Sequence, residues 1–178
     1  MYKQAEQHFP DDFDLIYRQA VLSLAEGNTI SANGYTEKLK TIFEGTYSTN
    51  EAAISWILAN VYLEAGIPEQ AEIYLGEALG LETENPEIMN FLAYILIDKD
   101  RNINEGLELV DKALELSPEN YNYLDTKGWG LYKQGRYQEA LGTLQKSWDI
   151  RREQAIYDHE AYLHLESAKE AVANQKNN

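Results

Sequence analysis

The sequence predicts an all-α protein built from a repeated pair of antiparallel helices, and three observations carry that reading. Apolar residues recur at three- and four-residue spacing through most of the 178 residues, the period of a helix face, and strand-type alternation is nearly absent. All four prolines stand where helices start or stop: Pro68 and Pro86 at first turns, Pro10 and Pro118 after the apolar runs of preceding helices. Small residues return in register at steps of 34 and 35 residues: Ala59, Ala93, Gly128; then Ala71, Gly106, Ala140; then Ala78, Ala113, Ser147.

Taken in order, the elements are helices of roughly 12–16 residues joined by short turns. Residues 1–12 read as the end of a second helix, with Tyr2, Ala5 and Pro10 fitting that role, so the chain is expected to begin in mid-repeat as a C-terminal fragment of a longer array. Residues 13–51 form an irregular unit with five surplus residues around EGNTISANGY. Residues 52–85, 86–120 and 121–154 are regular units, the middle one with an extra residue in its turn DKDRNIN. Gly66 and Gly135 close first helices, where a left-handed cap suits glycine. In 155–178, Tyr157, Ala161, Leu165, Ala168 and Val172 make one stripe followed by polar NQKNN, which predicts a capping helix with a polar outer face. The physical reason for the repeat is packing. A helix pair cannot bury both apolar faces alone, so pairs stack, and close backbone crossings admit only Ala, Gly or Ser.

Composition narrows the functions. No run of 18 apolar residues exists, so nothing in this segment inserts in a membrane, and MYKQAEQHFPDD lacks a signal core. Zero cysteines exclude disulfides, thiolate metal sites and a cysteine nucleophile, and both cytoplasm and periplasm stay open as compartments. A net charge of −15 argues against nucleic acid and anionic lipid as partners. Residues 61–120 hold 3 basic and 14 acidic side chains, against 8 and 8 in residues 121–178. The bland account of that acidity is a solvated outer helix face; a docking surface is the alternative.

No chemistry emerges from the motifs. His159 and His164 lie five apart, about 140° around a helix, and Leu163 stands where a zinc-protease helix needs its second histidine. The run DKDRNINEGLEL from Asp98 starts like a calcium loop but has Ile103 at the turn glycine and Leu109 at the bidentate glutamate. Gly128, Gly130 and Gly135 have neither a preceding strand nor phosphate-loop spacing. No catalytic residue, cofactor or metal site is predicted, and the chain reads as a non-enzyme.

The stretch WGLYKQGRYQEALGTLQKSWDI resembles the core pattern of the tetratricopeptide (TPR) repeat: a small residue, a Tyr-type residue, the turn glycine, Tyr, then Glu-Ala-Leu. The resemblance, to bacterial-type members, is strong from Ala52 to Ile150 and looser outside, and Lys127 replaces a usual leucine. It implies an α-solenoid whose first helices line a concave surface. The residues in register there are Tyr17, Trp56, Asn90 and Asp125, then Val21, Asn60, Tyr94 and Trp129, flanked by Leu24, Leu63, Ile97 and Tyr132. Aromatics with amides between them suit gripping a peptide. A subclass of the family clamps acidic chaperone tails with lysines and asparagines; Asn60 and Asn90 match the amides, but Tyr17 and Trp56 occupy the lysine line, so a neutral or basic protein partner with apolar anchors is expected. The competing reading is a structural end segment that docks intramolecularly or self-associates as a homo-oligomer, with Trp148 and the Tyr157 to Val172 stripe in the interface.

Overall fold

The computed structural model describes residues 8–46 and 50–176, and among them it contains nine helices and no strand. The chain divides into two compact units, Met1–Thr83 and Glu84–Asn178. The first holds α1 (Phe13–Ala25), α2 (Thr29–Thr46), α3 (Glu51–Glu64) and α4 (Pro68–Leu81). The second holds α5 (Pro86–Asp98), α6 (Ile103–Leu116), α7 (Tyr121–Lys133), α8 (Tyr137–Glu153) and α9 (His159–Lys176). Tyr2 and Ala5 lie outside the described residues, as do the last two residues of NQKNN.

Helix starts follow from local chemistry. The first N–H groups of a helix have no intrahelical acceptor, and a short Asp or Asn side chain supplies one, contributing about 1 kcal/mol. Asp12 accepts from the Leu15 N–H at 2.8 Å and Asn50 from Ala52 at 2.8 Å. Asn85, Asn102 and Asn120 do the same for α5, α6 and α7. Ile67 gives α4 no such bond; Pro68 starts that helix instead, where its missing N–H costs nothing. Each first helix then reverses at one left-handed residue. Gly27, Gly66 and Gly135 have φ of 71°, 79° and 77°, and Asp100 takes the equivalent place in the third pair at φ 52°.

In the first unit α1 pairs with α2 and α3 with α4, and α3 also packs on α1 and α2. Ile16, Ala20, Leu39 and Val61 form its buried cluster, with Phe13, Tyr17 and Val21 packed against them. Most of the five surplus residues lengthen the second helix: α2 has 18 residues where α4 has 14.

In the second unit α5 pairs with α6 and α7 with α8, α7 bridges to α5 and α6, and α9 lies on α8 and α7. The repeating small positions are the crossing points. Ala93, Ala113 and Ala140 have no exposure, and Ser147, also buried, donates its hydroxyl to the Tyr121 carbonyl at 2.7 Å. A Cβ on Gly106 would stand 2.7 Å from Ile97 Cγ1 and 2.9 Å from the Ala93 carbonyl oxygen. A Cβ on Gly128 would stand 2.5 Å from Leu144 Cγ and 3.2 Å from the Leu144 backbone nitrogen.

The C-terminal stripe needs one correction. Ala161, Leu165, Ala168 and Val172 are buried, but Tyr157 precedes α9 and is 69% exposed. The chain turns through Ala155 at φ 56°, and Asp158 then caps the helix by accepting from the Glu160 N–H at 2.9 Å. The outer face of α9 is not wholly polar either, since Tyr162 and Leu163 are exposed near its start.

The glycine geometry separates two substitutions of the same kind. Gly128→Ala should lower stability by about 1–2 kcal/mol because overpacking against Leu144 outweighs the gain in helix propensity. Gly142→Ala, on the same helix pair with nothing within 4 Å of a new Cβ, should raise stability by about 0.5–1 kcal/mol. Urea denaturation followed by circular dichroism measures both; equal effects would remove the close-crossing account.

Candidate partner-binding surface

The residues expected on the binding face belong to the first helix of each pair, and each unit carries its own set. In the first unit Tyr17 and Val21 on α1, and Trp56 and Asn60 on α3, are all half-buried. Tyr17 and Val21 rest on the Ile16 cluster. The Tyr17 hydroxyl donates to Glu64 Oε1 at 2.9 Å, tying α1 to α3. Burial, then this acidic acceptor, push its phenol well above the usual tyrosine range, so it stays neutral. Asn60 turns its amide back to donate to the Trp56 carbonyl at 2.8 Å.

In the second unit the set is Asn90 and Tyr94 on α5, and Asp125, Trp129 and Tyr132 on α7. Trp129 is the hub. Its ring stacks with Tyr132 at 4.9 Å and 8°, and with His164 of α9 at 4.2 Å and 13°. Its indole N–H donates to Asp98 Oδ1 at 3.3 Å, and the Lys133 ammonium lies 5.4 Å from its ring centre. Lys133 also donates to the Asp98 carbonyl at 3.1 Å and pairs with Asp100 at 2.8 Å. Burial opposes ionisation of Asp98, yet hydrogen bonding and charge from Lys99, the Trp129 N–H and Lys133 together hold its carboxyl below the usual carboxylate range.

Helix α9 takes part in this face, which the sequence reading did not foresee. Tyr94 donates its hydroxyl to Glu160 Oε1 at 2.5 Å, and burial followed by that bond raises its phenol well above the ordinary range. His164 Nδ1 lies 2.9 Å from Asp125 Oδ2 with both side chains buried. Asp125, expected on the open surface, is therefore committed to its own chain and only 9% exposed. Ile97, expected on the flanking line, is core and packs where Gly130 leaves room. Asn90 remains half-buried, and its side-chain oxygen is buried with no hydrogen-bond partner among the described residues. Glu160 and His164 are the missed contributors. Their four-residue spacing puts them on one face of α9, a signal present in the sequence.

A cleft of about 410 Å³ lies elsewhere in this unit, floored by Leu107 and Leu131. Lys127, the residue in place of a leucine, reaches Asp111 at 2.7 Å on its wall, and Arg136 forks onto Glu139 at 2.8 and 2.6 Å. Its cations are satisfied internally. Among the described residues no three His, Cys, Asp or Glu side chains gather as a metal site, and no helix is long and apolar enough to cross a membrane.

No protein-family model matches the chain. A curated TPR repeat-containing protein of Pseudomonas aeruginosa is 33% identical over 96 residues, 54% of this chain and 15% of that protein. Matches to such curated relatives span 15–18% of their length. Among solved structures, that of BtubC from P. vanneervenii superposes with a TM-score of 0.68 at 17% identity, covering 97% of this chain and 79% of that one. The first TPR of Spaghetti, bound to an HSP90 peptide, has a TM-score of 0.61 at 14% identity, covering 71% of this chain and 96% of that one. The fold is the all-α helix-pair fold of TPR solenoids.

The α9 contacts make an ordered prediction. His164→Ala leaves the buried Asp125 carboxylate without its partner and removes a ring from Trp129, so it should cost about 2–4 kcal/mol. Tyr94→Phe removes one more exposed hydrogen bond and should cost under about 1 kcal/mol. Urea unfolding monitored by tryptophan fluorescence gives both values, and the reverse order would show that the His164–Asp125 pair does not hold α9.

Proposed function

We propose that this chain, a member of the tetratricopeptide-repeat family, is a non-enzymatic interaction module that holds a protein or peptide partner on the faces of its first helices. One observation carries the reading most directly: the first helices keep rings and amides half-buried beside fully buried small-residue crossings. Trp56 and Asn60 do so in the first unit, and Asn90, Tyr94, Trp129 and Tyr132 in the second. A fold neighbour solved with a bound peptide gives the same class of role to a related architecture. Excess negative charge favours a neutral or basic partner and disfavours nucleic acid.

A second reading has its own support. Glu160 and His164 already engage Tyr94, Asp125 and Trp129, as expected if α9 docks within its own chain and the unit serves a structural role. In that case the second unit's face has no external ligand.

Affinity capture from the source organism, quantified by mass spectrometry, separates the two. Trp56→Ala and Tyr132→Ala should each lower recovery of a partner at least tenfold while circular dichroism stays unchanged. The exposed Glu115→Ala on α6 should leave recovery intact. Undiminished capture by both aromatic variants would overturn the first-helix assignment. A dimer by light scattering that the same variants dissolve would instead establish self-association.

A further inference from the structure

At the open end of the Trp129 ring cluster, α7, α8 and α9 enclose a second cleft of about 410 Å³. Tyr132, Tyr137, Ser167, Glu170, Asn174 and Gln175 line it. The two tyrosine rings lie 5.3 Å apart and tilted by 50°, and they extend a continuous run of rings from His164 through Trp129. The lining therefore offers aromatic surface, one carboxylate and amide oxygens, with no cation among the described residues that form it. Three lysines on the same helices are committed elsewhere: Lys127 pairs with Asp111 at 2.7 Å, Lys133 with Asp100 at 2.8 Å and Lys169 with Glu166 at 2.9 Å. Among the described residues Glu170 has no ion-pair partner. The Ser167 hydroxyl donates back to the Leu163 carbonyl at 2.8 Å, which leaves its oxygen as an acceptor toward the cleft.

We propose that this cleft accepts an arginine side chain of the partner polypeptide. A guanidinium is planar, weakly hydrated and donates through five N–H groups. It can stack on tyrosine while donating to a carboxylate, and here rings and Glu170 border one volume. The chain's net charge of −15 adds long-range attraction for a basic segment. This assignment rests on the protein-partner reading above and names the residue type that the partner brings. It also gives Tyr132 a role apart from Trp129, whose ring is already occupied on its own chain.

The test uses a single blocked amino acid on the full chain. Amide chemical shifts are followed by NMR during titration with N-acetyl-arginine methylamide, and separately with the citrulline equivalent, which keeps the shape and loses the charge. Saturable shifts on Tyr132, Tyr137 and residues 167–175 are expected with the arginine probe. Citrulline should bind at least tenfold more weakly, and Glu170→Gln should weaken the arginine probe at least fivefold. Glu170 is exposed, so that variant keeps its fold, and circular dichroism verifies it. Equal binding of citrulline, an unchanged Glu170→Gln response, or shifts centred on α6 would each overturn the assignment. Probe failure with capture still sensitive to Trp56→Ala would remove only the arginine pocket. An intact probe response without any captured partner would remove the module reading instead.

Discussion

The distance between crossing helices is the constraint on which the rest of the structure depends. At Gly128 a single methyl group would stand 2.5 Å from Leu144 Cγ, and at Gly106 2.9 Å from the Ala93 carbonyl. Backbones that approach this closely leave no space for large side chains at the crossing, so the large ones fill the gaps on either side. Leu75, Val110 and Leu144, one per regular pair, are almost fully buried in this way. Because the crossings are spaced by the length of a helix pair, their recurrence sets the length of every helix and the place of every turn. The left-handed residue ending each first helix follows from that spacing, including Asp100, which holds a glycine's place and is secured by Lys133.

Once the crossings consume the small residues, the remaining face of each first helix is free to carry side chains that the core does not require. That face holds the rings and amides. In the second unit it is also where α9 attaches, through bonds of different character. His164 with Asp125 is a buried pair, and removing either member leaves a polar group without water or partner. Tyr94 with Glu160 is more exposed and worth less. Arg151 adds a third tie at the far end of α8: buried, it donates to Asn122 at 2.8 Å, pairs with Asp158 at 3.3 Å and lies over the Tyr121 ring. Asp158 is also the cap of α9, so one arginine links the starts of α7 and α9.

What could be read from the sequence was whatever repeats. The 34- and 35-residue step, the small positions, the prolines and the glycine turns all recur, and each has a local steric cause that acts the same way in every unit. The contacts of α9 occur once, and their partners are 39 and 66 residues apart in the chain. No period announces them. Asp125 held a register position like any other, and only the histidine opposite it explains its burial. The five-residue step from His159 to His164 carries no contact to that surface, whereas the four-residue step from Glu160 to His164 sets both residues on one face of α9. Tyr157 matched the α9 stripe by heptad-like spacing alone, whereas the left-handed turn at Ala155 starts the helix later. The asparagine caps were legible in principle, since an Asn precedes α3, α5, α6 and α7.

The uneven charge of the chain takes on a different meaning once the pairs are known. Residues 121–178 look balanced, with 8 basic and 8 acidic side chains. Among the described residues, six of these cations nevertheless sit in ion pairs: Lys127, Lys133, Arg136, Arg151, Arg152 and Lys169. Two of those six, Lys127 and Lys133, neutralise acids from the stretch before residue 121, so the local balance is partly lent to its neighbour. Lys127, Lys133 and Arg151 tie one element to another, the other three pair locally at i,i+3 spacing, and Glu170 has no counter-charge among the described residues. Exposed pairs of this kind add little stability individually. The chain as a whole keeps its net charge of −15, which sets the sign of its long-range attraction for a charged partner. Under the proposed arginine contact, a partner's positive charge would gain a specific interaction at the ring-lined cleft of Tyr132 and Tyr137 in addition to a long-range one.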